Sequence, residues 1–454
     1  MPINSFLYPA PSLPPAYSVA NSCMFNDGDS AYMTKTPGSD GNRQTFTISV
    51  WLKRGTLGSA QNILGSSDSG FGNGLFLQFQ ADDTLRFGFQ DPNQFKTTNR
   101  VFRDCSAWYN IIVAVNVNEA SNSDRVKIYI NGTQETSFGT DNTMTDADKG
   151  WNNQQAHSVG RSGAYDGQYF DGYLAEVVSI DGSQLAATSF GEFDDDSPRI
   201  WKPIDVSGLT FGTNGFYLDF EDSSNLGNDA NGGTDLTENN LAATDQMIDT
   251  CTNNFCVMNP LTGSASGYAM AYSQGNLHVD GDQSWSNSMG TFGVTAGKWY
   301  WEIENFTYEH TQVGIASPDI DWGSAGVQDL TGTTLYYNSA GGEVRKDGSM
   351  TTADYGTFGT NDVLGIALNM DDGQITFYKN GSAIVSNYAI STSITTAVPL
   401  IAISGDYTID VNFGSPAIAI TSGNADANGY GSFEYSVPSG YYSLCTQNLA
   451  KYGG

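Results

Sequence analysis

The residues of this chain best suited to acid–base chemistry are Glu302 and Glu304, which stand two positions apart in the run 297–304. Side chains two residues apart on a β-strand project from the same face, so both carboxylates would lie beside Tyr300. Paired carboxylates carry out glycoside hydrolysis, one as acid and the other as nucleophile or base. Strand-borne sites of that type have a third carboxylate, which this run lacks. We therefore predict that the pair lines a solvated side of a strand and does not catalyse a reaction.

The histidines add no support for catalysis. His157, His278 and His310 stand in unlike contexts, and none accompanies a nucleophile-elbow sequence. A surface histidine, or one whose hydrogen bonds are satisfied, is the favoured interpretation of each. We expect a protein without enzymatic activity.

Charge excludes several classes of partner. The 454 residues contain 19 Lys and Arg against 49 Asp and Glu, a formal net charge of −30. Direct capture of nucleic acid or of an anionic membrane needs basic side chains that replace released counterions, so neither partner is expected. No apolar run is long enough for membrane insertion, and the amino terminus lacks the basic and apolar regions of a secretion signal.

The cysteines indicate reduced thiols. They are odd in number and scattered: Cys23, Cys105, Cys251, Cys256 and Cys445. Cys251 and Cys256 could close a small loop, but no second thiol pair or nearby histidine completes a zinc site. We expect free or buried thiols and assembly inside a cell.

A pair of β-strands that occurs twice indicates the fold. The first copy joins the runs 111–117 and 126–132, and the second joins 364–368 and 375–381. Each closing strand alternates apolar and polar residues before it ends in Asn-Gly. Alternation buries one face of a strand, and Asn-Gly supplies the positive φ angles of a tight hairpin. The pattern predicts antiparallel β-sandwiches in two domains.

Four features of the first half occur in a characteristic order. They are the alternating strand 46–53, the Trp-Tyr-Asn sequence at 108–110, the hairpin at 128–132 and the closing run 170–177, which begins Phe-Asp-Gly-Tyr. Together they resemble the laminin-G-like, or concanavalin-A-like, jelly roll. The resemblance implies a β-sandwich over residues 21–190.

The second half shows another ordered series of strands. Its members are the runs 297–304, 313–316, 362–368, 375–381 and the closing strands within 399–414. The series resembles the SPRY domain, a β-sandwich used for recognition. This resemblance implies a second sandwich over residues 276–415.

Composition separates three further segments. Residues 1–20 are rich in proline and predict an extended arm. Residues 191–275 are polar, with one β pattern at 215–221, and predict a connector that packs on the first sandwich. Residues 416–454 are expected to form a short tail. The predicted fold class is all-β, with two antiparallel jelly-roll sandwiches joined by a polar connector.

The opening run 25–32, the two domains in this order and the ending 435–449 resemble fibre or decoration proteins of bacteriophage virions. The resemblance implies a non-enzymatic virion protein assembled in the host cytoplasm and anchored by its arm or tail. The main expectation is a tail fibre or other surface fibre that binds host-surface glycan or protein. The alternative is a capsid-decoration, capsid-fibre or tail-assembly protein that binds only other virion proteins. Such fibres are commonly trimers, which implies a homo-oligomer.

The laminin-G resemblance implies no required cofactor and one candidate ion, calcium, because such domains often hold it through loop carboxylates. The candidate ligands lie in acidic turns: Asp27, Asp29, Asp82, Asp83, Asp194 and Asp195. Calcium needs about six to eight oxygens, and the fixed spacing of an EF-hand is absent. Solvated turn residues remain the alternative for every one of these positions.

Ligand recognition by a sandwich usually relies on its loops, where aromatic and polar side chains contact sugars or peptides. In the SPRY-like segment the candidates are Asp319, Asp321 and Trp322, together with the pair Tyr336 and Tyr337. The alternative is that the tryptophan and the tyrosines pack in the core or against a neighbouring subunit.

Overall fold

A computed structural model describes residues 17–66, 74–90, 94–163, 167–262, 270–282, 285–304, 311–320 and 333–453. The predicted all-β class is confirmed, since nearly every element is a strand of an antiparallel sheet. No helix in these ranges is long and apolar enough to cross a membrane. Residues 1–16 of the predicted arm lie outside the described residues.

The strands up to residue 262 are β1 Ser22–Phe25, β2 Tyr32–Lys35, β3 Thr45–Arg54, β4 Gln61–Ser66, β5 Leu75–Phe79, β6 Thr84–Phe89, β7 Gln94–Val101, β8 Trp108–Asn116, β9 Val126–Ile130, β10 Thr133–Gln134, β11 Phe138–Asp141, β12 His157–Val159, β13 Gly172–Asp181, β14 Gly191–Phe193, β15 Trp201–Pro203, β16 Phe216–Leu218, β17 Thr237–Asn239 and β18 Gln246–Met247. The strands from residue 270 onward are β19 Ala271–Ser273, β20 His278–Asp280, β21 Trp285–Met289, β22 Lys298–Glu304, β23 Thr311–Ala316, β24 Thr334–Asn338, β25 Glu343–Lys346, β26 Ser349–Met350, β27 Leu364–Asn369, β28 Gln374–Lys379, β29 Ser382–Ala389, β30 Val398–Ser404, β31 Thr408–Asn412 and β32 Tyr442–Ser443. The helices are α1 Asn122–Arg125, α2 Thr446–Tyr452 and the 3-10 turns Asp27–Asp29, Ala187–Ser189 and Ala243–Asp245.

Two sheets face each other in the first sandwich. Sheet 1 has the order β10-β9-β8-β3-β13-β1-β18, with β16 also paired to β13, and sheet 2 has the order β11-β7-β6-β5-β4-β12-β2-β17. Phe46, Ile48 and Val50 of β3 point into the core between the sheets. Trp51, which breaks the apolar alternation, packs on the other face of sheet 1. Period-two alternation therefore assigns the two faces of β3 correctly.

Both predicted Asn-Gly hairpins are confirmed. Asn131 and Gly132 have φ angles of 48° and 74°, and Asn380 and Gly381 have φ angles of 48° and 75°. Positive φ at both central positions is the geometry of a type I′ turn, whose twist matches that of the flanking strands. The turn after β9 leads into β10, and the turn after β28 leads into β29.

The segment 191–275 is more closely integrated than a connector that merely packs on the first sandwich. Its strand β16 pairs with β13 of sheet 1, β17 pairs with β2 of sheet 2, and β18 pairs with β1 of sheet 1. Trp201 and Phe211 of the same segment belong to the cluster that covers the outer face of sheet 1. The sequence pattern predicts only a connector, because the pairing of these short polar strands depends on tertiary contacts that a local pattern does not reveal.

The second sandwich is built from two further sheets. Sheet 3 has the order β19-β20-β31-β22-β27-β28-β29, with β32 also paired to β22, and sheet 4 has the order β21-β30-β23-β24-β25-β26. Trp299 and Trp301 of β22 fill the core between them. Strand β32 runs parallel to β22, so the carboxyl-terminal residues extend sheet 3.

A buried ion pair joins the first sandwich to the segment that leads into the second. Lys53 Nζ, at the end of β3, donates a hydrogen bond to Asp249 Oδ2 at 2.7 Å. Lys53 Nζ also donates to Asn254 Oδ1 at 2.7 Å and to the Phe255 carbonyl at 2.8 Å. Asp249 Oδ1 accepts a bond from Trp108 Nε1 at 3.0 Å. The side chains of Lys53 and Asp249 are 0% and 1% exposed, so each buried charge is neutralised by the other and not by solvent.

The cysteines are free thiols, and all but Cys251 are buried. Burial raises the pKa of Cys105 to about 12 and that of Cys256 to about 11. Thiols with a raised pKa form little thiolate at neutral pH and react slowly. These cysteines therefore act as small core residues.

Buried carboxyl groups should make stability depend on pH. Burial raises the pKa of Asp171 and of Glu176 to about 7, and that of Glu304 to about 8. Carboxyl groups of the unfolded chain have a pKa of about 4. The native state therefore keeps protons that the unfolded state releases, and its stability falls as pH rises through 7 and 8.

We expect the free energy of unfolding, measured by urea denaturation, to decrease between pH 6.5 and pH 8.5. Asp171→Asn should make the decrease smaller, because an amide does not ionise. The exposed control Asp205→Asn should leave it unchanged. A free energy that stays level or rises over this range would contradict the assignment of these buried protons.

Candidate functional site

The outer face of sheet 2 carries an aromatic and polar surface. Along β5, Leu75, Leu77 and Phe79 point into the core of the first sandwich. Strand alternation therefore places Phe76 and Gln78 on the opposite face, where both are half-buried.

Strands β6 and β7 extend this surface. Arg86 of β6 lies opposite Gln78 of β5 and opposite Thr97 of β7. The next outward positions along β5 and β7 are Phe76 and Phe95. These five half-buried side chains, Phe76, Gln78, Arg86, Phe95 and Thr97, are named the Arg86 platform.

Gly88 sets the spacing of the two rings. It lies opposite both Phe76 and Phe95, whose ring centroids are 6.5 Å apart with planes inclined by 53°. A Cβ at Gly88 would lie 2.5 Å from Phe95 Cβ, so a larger residue would displace that ring. The Arg86 guanidinium carbon lies 3.7 Å from the centroid of Phe95 and 5.8 Å from that of Phe76. Stacking on Phe95 orients the guanidinium.

Three buried polar atoms, one in the platform and two on neighbouring residues, have no hydrogen-bond partner within the described ranges. Arg86 Nη1 donates to Gln80 Oε1 at 3.4 Å, whereas Arg86 Nε and Gln80 Nε2 have no partner. Asn62, which lies opposite Gln78, leaves its Oδ1 without a partner. Aromatic rings can stack on the apolar face of a sugar, and amide groups can form hydrogen bonds with its hydroxyl groups. A surface with both kinds of group is therefore suited to binding a carbohydrate.

Of the predicted ligand residues of the SPRY segment, the structure describes Asp319, Tyr336 and Tyr337. Asp319 is exposed, and Asp321 and Trp322 lie outside the described residues. Tyr336 and Tyr337 of β24 are both 0% exposed. Their predicted role in surface binding is therefore corrected: the rings pack in the core, because both faces of this strand are covered.

The predicted calcium ligands Asp82 and Asp83 both bond to neighbours within the first sandwich. Asp83 is 4% exposed and forms ion pairs with Arg54 at 3.0 Å and Arg103 at 2.8 Å. Asp82 accepts bonds from the backbone and hydroxyl of Thr84, at 3.1 and 2.6 Å, which close the β5–β6 turn. Two cations already neutralise Asp83, so the structure offers no support for a calcium ion there.

The remaining predicted ligands lie in separate turns. Asp27 is half-buried and Asp29 exposed, and Asp29 Oδ2 accepts a bond from Asn26 at 2.8 Å. Asp194 accepts the backbone N–H of Ser197 at 2.9 Å, and Asp195 is exposed. Within the described ranges, no three His, Cys, Asp or Glu side chains gather into a group that could hold a metal ion. Calcium remains a prediction.

The pairing of Asp83 predicts a stability effect. Asp83→Ala should lower the free energy of unfolding by about 2–3 kcal/mol, because the fully buried Arg54 loses its carboxylate but keeps bonds to the carbonyls of Thr56 and Phe102. Asp82→Ala, one residue away and exposed, is the matched control and should cost less than about 1 kcal/mol. Urea denaturation of both variants measures the difference. Equal losses would contradict the buried pair.

The two histidines in the described residues are satisfied by neighbours. His157 Nε2 accepts the backbone N–H of Asn152 at 2.8 Å, and burial lowers its pKa to about 4. His278 Nδ1 lies 2.6 Å from Asp410 Oδ1, and this hydrogen bond raises the pKa of His278. His310 lies outside the described residues. His278 and Asp410 line a cavity of about 380 Å³ between the sandwiches, which also includes Asp29.

The carboxylates of β22 do not line a solvated side. Glu302 is 0% exposed, and its carboxylate accepts bonds from Tyr300 Oη at 2.8 Å and from the backbone N–H groups of Glu434 and Tyr435 at 2.8 and 3.0 Å. Glu304 is 7% exposed. The carboxyl-terminal residues cover this face, which corrects the expectation of a solvated side.

The Arg86 platform lies on strands and not on loops, so the sequence signal for it is the phase of its residues within β5 and β6. Phe76 is out of phase with Leu75, Leu77 and Phe79, and Arg86 is out of phase with its apolar neighbours in β6. An aromatic residue and an arginine on the polar phase of adjacent strands would have indicated a surface built for binding.

Family models match both halves of the chain. The model described as the concanavalin A-like lectin/glucanases superfamily matches residues 27–183, and the SPRY domain model matches residues 298–416. The chain contains a laminin-G-type, concanavalin A-like domain followed by an SPRY domain, which confirms the two domain resemblances. These domain types are consistent with a binding function. No curated protein shows significant similarity to the chain.

Several solved structures are similar to parts of the chain. The SPRY domain of human HERC1 has 16% identity and a TM-score of 0.29, over 34% of this chain and 96% of that one. The TRIM65 PSpry domain has 14% identity and a TM-score of 0.29, over 35% and 89%. A candidate carbohydrate binding protein from Bacteroides ovatus ATCC 8483 has 16% identity and a TM-score of 0.34, over 49% and 59%.

Proposed function

We propose that this chain is a non-enzymatic recognition protein that binds glycan on the Arg86 platform. The observation that carries the proposal is the pair of half-buried rings, Phe76 and Phe95, beside the Arg86 guanidinium on the outer face of sheet 2. Rings in a protein core are fully buried, and faces exposed only to solvent carry mainly polar side chains. Half-buried rings on an outer face are therefore typical of a binding surface.

The platform has the two kinds of contact that sugars need. The apolar face of a pyranose stacks on an aromatic ring, and its hydroxyl groups exchange hydrogen bonds with amide and guanidinium groups. Gln78 and Gln80, both half-buried, supply amide groups beside Arg86. A lectin-type domain in the same half of the chain fits this chemistry.

The absence of enzymatic activity is part of the proposal. Hydrolysis needs a carboxylic acid and a carboxylate that both reach the glycosidic bond. Glu302 is fully buried beneath the carboxyl-terminal residues, so a polysaccharide does not reach it without local unfolding. No carboxylate belongs to the Arg86 platform.

The proposed setting is the surface of a bacteriophage particle, as a tail fibre or other surface fibre, homo-oligomeric and expected to be trimeric. Support for this setting comes from the order of the sequence features, from the opening run 25–32 to the ending 435–449. The glycan would then belong to the host surface. The platform itself is not a proposed calcium site, since none of its five residues is a carboxylate.

A glycan-binding screen of the purified intact chain tests the function. We expect saturable binding to a subset of polysaccharides and no increase in reducing ends after long incubation. A complete lack of glycan binding, with capture only by other particle proteins, would favour the decoration role and refute adhesion through the platform. Shortened polysaccharide chains would refute the non-enzymatic assignment.

A further inference from the structure

Arg86 is half-buried, and it has no acidic partner among the described residues. Five other arginines in the described ranges lie within 4.0 Å of a carboxylate: Arg43, Arg54, Arg100, Arg103 and Arg345. Arg125 instead donates to the backbone carbonyls of Glu119 and Met144, and Arg199 is exposed. Arg86 forms no ion pair with any described residue, although the chain carries 49 acidic side chains against 19 basic ones. Arg86 is therefore a half-buried arginine with neither a carboxylate nor a backbone carbonyl acceptor among the described residues.

The position of Arg86 is costly without a counter-ion. The side chain is half-buried, and desolvation lowers its pKa. Its one hydrogen bond within the described chain is the 3.4 Å contact with Gln80 Oε1, which is long for a charged donor. A partly desolvated cation whose donors are largely unused is stabilised when an anion bonds to it.

The neighbours of Arg86 restrict the form of that anion. Stacking on Phe95 at 3.7 Å holds the guanidinium in one orientation, so its N–H groups form a fixed fork. A guanidinium fork matches a carboxylate or a sulfate through two parallel hydrogen bonds. The adjacent Phe76 ring, 6.5 Å from that of Phe95, remains for a sugar ring attached to the same anion.

From this geometry we infer that the glycan bound at the platform is acidic, with its anionic group on Arg86 and its sugar ring beside Phe76. The inference rests on the proposed function and adds the chemical class of the ligand. The anionic group is either the carboxylate of a uronic acid or a sulfate ester. The net charge of −30 opposes any anion at long range, but screening at physiological salt limits that repulsion to about 8 Å.

The test compares matched acidic and neutral ligands by isothermal titration at 0.15 M salt. The probes are uronic-acid oligosaccharides, each paired with its methyl ester, and neutral oligosaccharides with and without sulfate esters. The proteins are the intact chain, Arg86→Gln, Arg86→Lys and Arg199→Gln. Arg199→Gln is the control, because it removes one positive charge from an exposed site on another part of the first sandwich.

The intact chain should bind one acidic series at least about tenfold more tightly than its neutral counterpart. Arg86→Gln should remove this preference for the acidic ligand and leave the affinity for the neutral ligand unchanged. Arg86→Lys should retain part of the preference, and the control Arg199→Gln should retain all of it. Preference for the uronic acid over its ester identifies a carboxylate, and preference for the sulfated sugar identifies a sulfate.

Equal binding of acidic and neutral partners would overturn the acidic preference and leave the glycan function intact. Retention of the preference in Arg86→Gln would likewise overturn the role of Arg86. Failure of the folded chain to bind any glycan would overturn the proposed function together with this inference.

Discussion

Replacing Asp249 with alanine should lower the free energy of unfolding by about 3–5 kcal/mol, the largest loss expected from any single polar substitution in this chain. The change leaves Lys53, which is 0% exposed, without its counter-ion, and it removes the acceptor of Trp108 Nε1. Neutral acceptors at Asn254 and Phe255 remain, but they do not neutralise the charge.

A double-substitution cycle separates the charge from the packing. Asp249→Asn should cost nearly as much as Asp249→Ala, since the amide keeps the shape but not the charge. Adding Lys53→Met should recover part of the loss, because no unpaired buried charge is left. Guanidinium denaturation followed by circular dichroism measures each free energy. Additive effects of the two substitutions would contradict a coupled pair.

Asp249 also connects the two sandwiches. Its backbone N–H donates to Ser415 Oγ at 3.0 Å, at the end of the second sandwich, while its carboxylate holds Lys53 of β3. A further bond runs from Tyr173 Oη to the Gly275 carbonyl at 2.9 Å. Loss of the Asp249 network should therefore weaken the junction between the sandwiches as well as the first sandwich itself.

Glycan binding should fall at least about tenfold, or about 1.4 kcal/mol, in Phe76→Ala and in Phe95→Ala. Each substitution removes a ring from the platform, and Phe95→Ala also removes the surface on which Arg86 stacks. Because both rings are half-buried on the outer face of sheet 2, the variants should keep a melting temperature close to that of the parent chain.

Phe193→Ala is the matched control for these variants. Phe193 is an aromatic residue of β14 that is 43% exposed and contacts Trp201 away from sheet 2. The Phe193→Ala variant should bind glycan with the same affinity as the parent chain. If Phe193→Ala lost binding and the platform variants kept it, the glycan site would lie on the β14–β15 hairpin.

Local pattern was enough to predict the fold. The alternation of Phe46, Ile48 and Val50 and the Asn131-Gly132 turn are signals within a few residues, and the structure realises each of them. These signals act through backbone geometry and period-two burial, which depend little on distant partners. The pairing of β16 with β13 depends on such partners, and the sequence pattern did not reveal it.

The site could not be predicted in the same way, because its residues are defined by what they contact. Asp83 resembles any acidic turn residue until Arg54 and Arg103 are placed beside it. Tyr337 has the composition of a recognition residue, yet it lies in the core between sheets 3 and 4. Arg86 becomes a candidate only when the absence of a carboxylate near it, in the described part of the chain, is known.

The most direct test of the account is a crystal structure of the chain with the most tightly bound oligosaccharide from the screen. We predict a sugar ring in contact with Phe76 and an anionic group within hydrogen-bond distance of Arg86. An oligosaccharide bound to the SPRY domain or in the cavity beside His278, with the Arg86 platform empty, would contradict it.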